Sequence, residues 1–398
     1  MEKLMSAAAD RALSEVAQLV FSHLLEVGEA TRKLLAESAG LSFPTVTLAL
    51  TELTAKSMVC ELRREQGARG RATIVYGVSD DSGWILGVDI GSTQVSFSAR
   101  LLNGRILAHE SRKHEGGAEK LGGLAGQLVA NSAALKAIKT PPLAVALALN
   151  QVVPRQLVRE GKPRPLALEI AEMFVGASRL PRSIPFLLEN NVNCAAVAEH
   201  QDGLMRGHDD AAYMQIGVGI GLGFFADGAL IRGGQGGSGE LAQIPLSWRN
   251  DVVSGVDAIE RRYGSLGLMQ SVSGAFTGAA MPGSPEALFL LAASGDETAR
   301  MLMSEHGIAL GRLAATAATI LDPEIIVLGG GLTRNEAFAR IIVDEFQSRN
   351  QDTQLEISQK GAEATVLGAC LLARDLAIGQ IVERFHKPLS ARPTLMPL

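Results

Sequence analysis

Asp89, Gly91 and Thr93 stand at alternate positions, bringing a carboxylate, a bare backbone and a hydroxyl together. At the turn of a hairpin this triplet can set N–H groups and a hydroxyl around a phosphate while the carboxylate meets a metal ion. A second run, Gly217 to Gly239, holds ten glycines in 23 residues and would let another loop approach a nucleotide, although such turns also serve chain geometry alone. A different chemistry is suggested nearer the N-terminus. From Lys56 to Arg71 five basic residues (Lys56, Arg63, Arg64, Arg69, Arg71) face Glu61 and Glu65, a local charge of +3 suited to phosphates or a minor groove. The three thiols, Cys60, Cys194 and Cys370, are widely separated and form no pair spaced to hold zinc or a redox centre, which excludes a disulfide scaffold.

The elements that must carry the basic run can be read from periodicity. Leu13, Val16, Ala17, Val20, Leu24 and Val27 recur at helical spacing and Gly28 closes the pattern. A second helix is expected from Thr31 to about Ser38, broken at Ala39-Gly40, and a third from Ser42, with Pro44 tolerated in its first turn. Ala36, Gly40 and Val46 then stand where two tightly crossing helices need a small residue, a turn glycine and a β-branched residue. Strands at Met58 to Leu62 and Thr73 to Val78 would flank a basic loop, completing a winged helix-turn-helix. Such a helix presents its N-terminal residues to base edges, so Ser42, Phe43, Thr45 and Thr47 are the expected readers, with Leu48 beside them. Arg63, Arg64, Arg69 and Arg71 are the expected wing contacts. Residues 1–80 carry nine Lys/Arg against ten Asp/Glu, so any DNA surface is local rather than a property of overall charge.

The remaining chain reads as a larger α/β body. With 398 residues, 47% apolar content, 4% aromatics and 43 glycines, the sequence suits two to four α/β domains rich in tight turns, and its net charge of −5 is not that of a basic protein. Polar Glu15, Gln18 and His23 interrupt the first apolar stretch, which fits neither a signal peptide nor a spanning helix; a cytoplasmic protein without a membrane is expected. We expect a helix-turn-helix domain over 1–79, a linker over 80–83 and a body over 84–398. Buried strands are expected at Ile85 to Val95, Leu143 to Leu149, Ile184 to Leu188 and Ile325 to Leu328, helices at Leu121 to Ile138 and Asn191 to His200, and hairpin turns at Asn103-Gly104 and Asp227-Gly228. Two glycine-interrupted hairpins imply two lobes, one over about 84–190 with a C-terminal return and one over about 191–375. Lys387 to Leu398 reads as an extended tail.

Five segments make the body resemble the ROK family of bacterial repressors and sugar kinases, built on an actin-like ATPase fold. They are Gly87 to Thr93, Glu189-Asn190-Asn191-Val192-Asn193, Gly217 to Gly223, Gly237 to Leu241 and Leu328 to Leu332. The resemblance implies that Asn190, Asn191, Glu240, Gln151 and Gln243 stand at effector-contacting positions, with a sugar or sugar derivative as the effector. It also implies departures. Family kinases carry an aspartate as proton acceptor where this chain has Asn191, and a carboxamide cannot accept a proton at useful pH. A hydroxyl of the phosphate loop is replaced by Val218. A zinc-ligating histidine is replaced by Gln243, and Trp248 to Tyr263 contains no cysteine.

The expected protein is thus a DNA-binding regulator, a repressor by its resemblance and linked to carbohydrate metabolism. It is expected to act on a double-stranded operator as a homodimer or homotetramer, with no kinase activity, cofactor or metal. The alternative is an ATP-dependent sugar kinase with an accessory DNA-binding domain.

Overall fold

A computed structural model describes residues 13–66, 72–114, 117–158, 161, 163–244, 258–278, 281–382, 384–389 and 393–396. The N-terminal part comprises α1 (Glu15–Val27), β1 (Glu29–Thr31), α2 (Arg32–Ala39), α3 (Phe43–Ala55), β2 (Val59–Gln66) and β3 (Ala72–Val78). Each helix start is explained by a cap: the side chains of Ser14, Thr31 and Ser42 accept from Ala17, Leu34 and Thr45 N–H respectively. Gly40 ends α2 in the left-handed region at φ 64°, which its lack of Cβ permits, and sends the chain into α3 at 111° to α2. That crossing buries Leu35, Val46, Leu50 and Leu53 with Val20, Phe21 and Leu24 of α1.

Two expectations change here. The strand expected to stop at Leu62 runs on to Gln66, so Arg63 and Arg64 lie in β2, paired with Val75 and Ile74, and not in a loop. Pairing with β3 prevails over the poor strand propensity of a charged run. The sheet also gains β1, unforeseen because three residues carry no readable alternation; its order is β1-β3-β2.

The linker expected over 80–83 is a short 3-10 turn, Asp80–Ser82, capped by Ser79 and followed by Gly83. The Asn103 side chain donates to Val78 C=O and to the Asp80 carboxylate, and Leu102 N–H donates to Gly83 C=O, so this turn is fixed to the body.

The first lobe contains β4 (Trp84–Ile90), β5 (Gln94–Leu101), β6 (Ile106–Lys113), α4 (Ala118–Asn131), α5 (Ala133–Ala137), β7 (Val145–Leu149), α6 (Leu166–Ser178) and β8 (Phe186–Asn190). The single helix expected over Leu121 to Ile138 is divided at Ser132, whose hydroxyl caps α5. The chain continues through α7 (Asn191–Asp202), β9 (Ala211–Ile216), β10 (Ile220–Ala226), β11 (Ala229–Leu230), α8 (Ala258–Tyr263), α9 (Ser265–Ala275), α10 (Pro285–Ala293) and α11 (Glu297–Leu321). It ends with β12 (Ile325–Gly329), α12 (Glu336–Gln347), β13 (Gln354–Ile357), α13 (Ala364–Ile381) and β14 (Thr394–Leu395).

The two large sheets run β14-β8-β7-β4-β5-β6 and β11-β10-β9-β12-β13. Both contain a parallel core extended by an antiparallel hairpin, β4–β5 in one and β9–β10 in the other. The described part of the expected tail returns as β14, antiparallel to β8.

Helix α13 was expected within the second lobe, yet it lies against β4 and β7 of the first and against α7. Two glycines permit this. A Cβ on Gly87 of β4 would stand 2.5 Å from Cys370 N of α13, and one on Gly368 of α13 would stand 1.7 Å from Cys194 C=O of α7. Backbone therefore meets backbone on both sides of α13. Its length and apolarity would also suit a membrane span, but half of that stretch is buried inside this fold.

Candidate functional site

Two surfaces carry the expected functional residues. On α3, the face formed by Val46, Ala49, Leu50 and Leu53 is buried, which turns Ser42, Phe43, Leu48 and Thr51 outward. Phe43 is 54% exposed and Leu48 73% exposed. Single exposed apolar side chains also occur elsewhere, as at Leu290 (73%), so these two mark the open face of α3 rather than a patch. Thr45 and Thr47 are partly buried. The Thr47 hydroxyl donates to Phe43 C=O at 2.9 Å, so what it offers outward is its lone pairs. The Ser42 and Thr45 hydroxyls lie 2.7 Å apart.

The wing's charges are internally engaged. Arg63 holds Glu29 at 2.5 Å and Glu65 at 2.9 Å, and Arg64 holds Glu61 at 3.2 Å. The Arg63 partnership keeps the Glu29 carboxyl below the usual carboxylate range, through the hydrogen bond first and the charge second. Arg69 and Arg71 fall outside the described residues. Sequence alone could not show these pairings, because Glu29 lies 34 residues from Arg63.

The second surface is a cleft of about 370 Å³ lying between the lobes. Strand register explains its chemistry. Asp89, Ala148 and Glu189 form one row across β4, β7 and β8, and the chain beyond those strand ends supplies Gly91 to Gln94, Asn150 and Asn191. The opposite wall holds Gly217 to Gly219, Gly330, Gly331 and Arg334, while Gly361, Ala362 and Thr365 bring in the start of α13. Ligands of open α/β sheets enter at the carboxyl ends of strands.

Asp89 Oδ1 and Asn191 Oδ1 are both buried without a hydrogen-bond partner. Burial pushes the Asp89 carboxyl up to about 7. At neutral pH the cleft therefore offers a partly protonated acid and an amide. Glu286 at the start of α10 is held below its ordinary range by its own backbone N–H first and the Ser284 hydroxyl second; burial opposes them, and the more distant cations Arg334 and Lys113 add the smallest effects.

The five expected effector residues do not converge on this cleft. Among them only Asn191 lines it. Asn190 is occupied elsewhere: its Oδ1 accepts from Val192 N–H at 2.8 Å and Asn193 N–H at 3.3 Å, capping α7, and its Nδ2 donates to Gln151 C=O at 3.2 Å. Gln151 thus serves Asn190 through its backbone. Glu240 is half-buried beside a 3-10 turn that ends at the exposed Gln243.

Sequence reasoning also passed over Arg232. Its Nε donates to the Glu189 carboxylate at 2.6 Å, with both side chains buried, tying the loop after β11 to β8 across the lobes. An arginine in a glycine-rich run gives no sign of a partner 43 residues away.

The residues do not suit the groups associated with comparable bodies. Residues 244–263 contain no cysteine or histidine, and no cluster of three metal-ligating side chains forms among the described residues. Val218 leaves the Gly217–Gly219 turn without a hydroxyl, although that turn remains intact through the Gly217 N–H to Gly219 C=O bond.

The ROK family matches over residues 85–376. A xylose repressor from Caldicellulosiruptor bescii is 23% identical over 88% of this chain and 93% of its own length. A bifunctional NanE/NanK enzyme from Brucella melitensis is 29% identical over 48% of this chain and 35% of its own. In structure, a ROK transcriptional regulator homologous to the Escherichia coli MLC protein superposes with a TM-score of 0.70 at 20% identity, covering 93% of this chain and all of that one. A ROK hexokinase from Thermus thermophilus gives 0.56 at 25% identity and covers 73% of this chain and 97% of its own.

Proposed function

The chain belongs to the ROK family, and we propose that it is a sequence-specific transcriptional repressor, a reading supported above all by its outward-facing α3. Residues 13–78 form a winged helix-turn-helix in which α3 enters the major groove. Phe43 and Leu48 contact thymine methyls, while Thr47, its proton given to Phe43 C=O, accepts from an adenine or cytosine amino group. Residues 85–398 amount to 79% of the 398-residue chain, so the regulator covering 93% reaches into the segment before Ile85, whereas the hexokinase covers 73%. The relative named a xylose repressor extends over 88% of this chain.

In this proposal the body binds a carbohydrate effector in the cleft and transfers no phosphate, since Asn191 occupies the proton acceptor's place. Two copies, on two half-sites, act on one operator in the cytoplasm. Helix α13 provides the route between sites. Ala362 and Thr365 at its start line the cleft. Nine residues on, about 14 Å along the axis, Arg374 donates to Leu102 C=O at 2.8 Å and to Leu25 C=O of α1 at 3.4 Å. Beyond its end, Phe385 C=O accepts from Ser22 and Arg384 pairs with Glu15. A ligand favouring one placement of α13 shifts the DNA-binding part in proportion to its difference in affinity.

A coupled phosphorylation assay over a panel of hexoses, pentoses and amino sugars tests this reading alongside thermal shift with the same sugars. We expect no turnover, and stabilisation by one sugar class. Turnover that Asp89→Ala abolishes would establish the kinase instead.

A further inference from the structure

We propose that the body itself carries a second DNA contact, a basic groove that grips the sugar-phosphate backbone flanking the site read by α3. This rests on the DNA-binding reading above. The groove, about 370 Å³, lies at the start of the parallel strands, the end of the first lobe opposite the cleft. Its lining is mostly apolar, with Trp84, Val129, Leu135, Ile138 and Pro142, and it is the exposed Lys136, Lys139 and Arg179 that give it charge, with Arg182 one residue beyond. All four cations are exposed. They come from two segments, 132–144 and 173–188, that contain no acidic residue. Among the described residues none of the four makes an ion pair, and the Lys136 ammonium donates to Asn131 C=O.

The groove has a rigid frame. Trp84 Nε1 donates to Thr140 C=O at 3.0 Å, and Leu143 N–H donates to Trp84 C=O at 2.8 Å. Arg179 closes α6 in the left-handed region at φ 61°. Three prolines, Pro141, Pro142 and Pro181, restrict the two loops further.

Position and charge select the occupant. Trp84 stands six residues after Val78, the end of β3, so the chain between them spans at most about 22 Å. One turn of duplex is about 34–36 Å. The groove thus lies within one helical turn of duplex from the body end of β3, and a duplex held by α3 meets it by running on toward the body, which the longer duplex tests. The need is also visible, since Arg63, Arg64 and Lys33 face carboxylates of their own module. An anionic polymer bearing one charge per about 1.7 Å of axis suits a spread of unpaired cations better than a single carboxylate does.

The test compares the full-length chain with the quadruple variant Lys136→Gln, Lys139→Gln, Arg179→Gln, Arg182→Gln. All four positions are exposed and outside both helix-turn-helix and cleft, and circular dichroism confirms folding. Duplexes of about 20 and about 40 base pairs are built around one sequence selected by the parent chain from a random pool, then titrated over about 50–300 mM salt. The parent should prefer the longer duplex and show a salt slope steeper by up to about 3–4, or about 0.9 per phosphate contact. The variant should bind both lengths alike, with its preference for the selected sequence over a scrambled one unchanged. Equal slopes for parent and variant on the long duplex overturn the groove while leaving the DNA-binding reading standing. Failure of the parent to select any duplex overturns that reading and the groove with it. If the variant keeps the parent's slope but no longer binds polyglutamate, the groove serves an acidic protein and the proposal is wrong.

Discussion

Replacing Asp89 by Asn should make the protein's stability less sensitive to pH, with a size set by the environment of β4. The carboxyl's rise from 3.8 to about 7, at about 1.4 kcal/mol per tenfold change in proton affinity, corresponds to about 4 kcal/mol. The sign follows from linkage. The folded state holds the proton more tightly than the unfolded chain, so this stabilisation is complete below about pH 4 and is lost as pH rises through 7. About 3 kcal/mol of the loss falls between pH 5 and 8. Asparagine keeps the shape and does not titrate, and any cost of its unpaired amide is the same at each pH. Trp84 lies on the same strand, so in a Trp248→Phe background its fluorescence reports urea unfolding of the first lobe. The stability of Asp89→Asn relative to its parent should increase by about 3 kcal/mol between pH 5 and 8. A difference constant to within about 0.5 kcal/mol would show that Asp89 is not held neutral in the cleft.

Ser42→Ala removes the cap of α3 and should cost about 1 kcal/mol, read as an earlier unfolding of the N-terminal part. Gly368→Ala places a methyl 1.7 Å from Cys194 C=O, forcing α13 from α7; differential scanning calorimetry should show a large fall in Tm, whereas Gly123→Ala, with open space around it, should not. Glu189→Gln and Arg232→Met should each cost about 3–5 kcal/mol by leaving a buried partner uncompensated, while the double variant loses less than their sum in urea denaturation.

Elements with local signals were legible. Ser42, Thr31 and Gly40 carry caps that depend on nearest neighbours, and α2 begins and ends, and α3 begins, where those residues predict. The hairpin turns at Asn103-Gly104 and Asp227-Gly228 are likewise local. What escaped depends on distant contacts. Arg63 joins a strand because β3 pairs with it, and Arg232 becomes important because Glu189 lies across the lobes. In the cleft, Asp89 is legible from its type and spacing and Asn191 from the family resemblance, which offers Asn190 equally, although the Asn190 amide caps α7 and bonds Gln151. Helix α6, packed with α4 on the first lobe, was unread for a different reason. Its seven buried residues form one stripe, but Glu169 and Glu172 are the only charged residues among its 13, so little polar contrast marks the opposite side.

The most direct test of the central claim is selection from a random duplex pool by the full-length chain, followed by binding of the enriched sequence and a scrambled control at one stated salt concentration. The account predicts paired half-sites bound at least about 10³-fold more tightly than the control, with Thr47→Ala relaxing preference at one position per half-site. Equal binding to enriched and scrambled duplexes, or no enrichment at all, would contradict it.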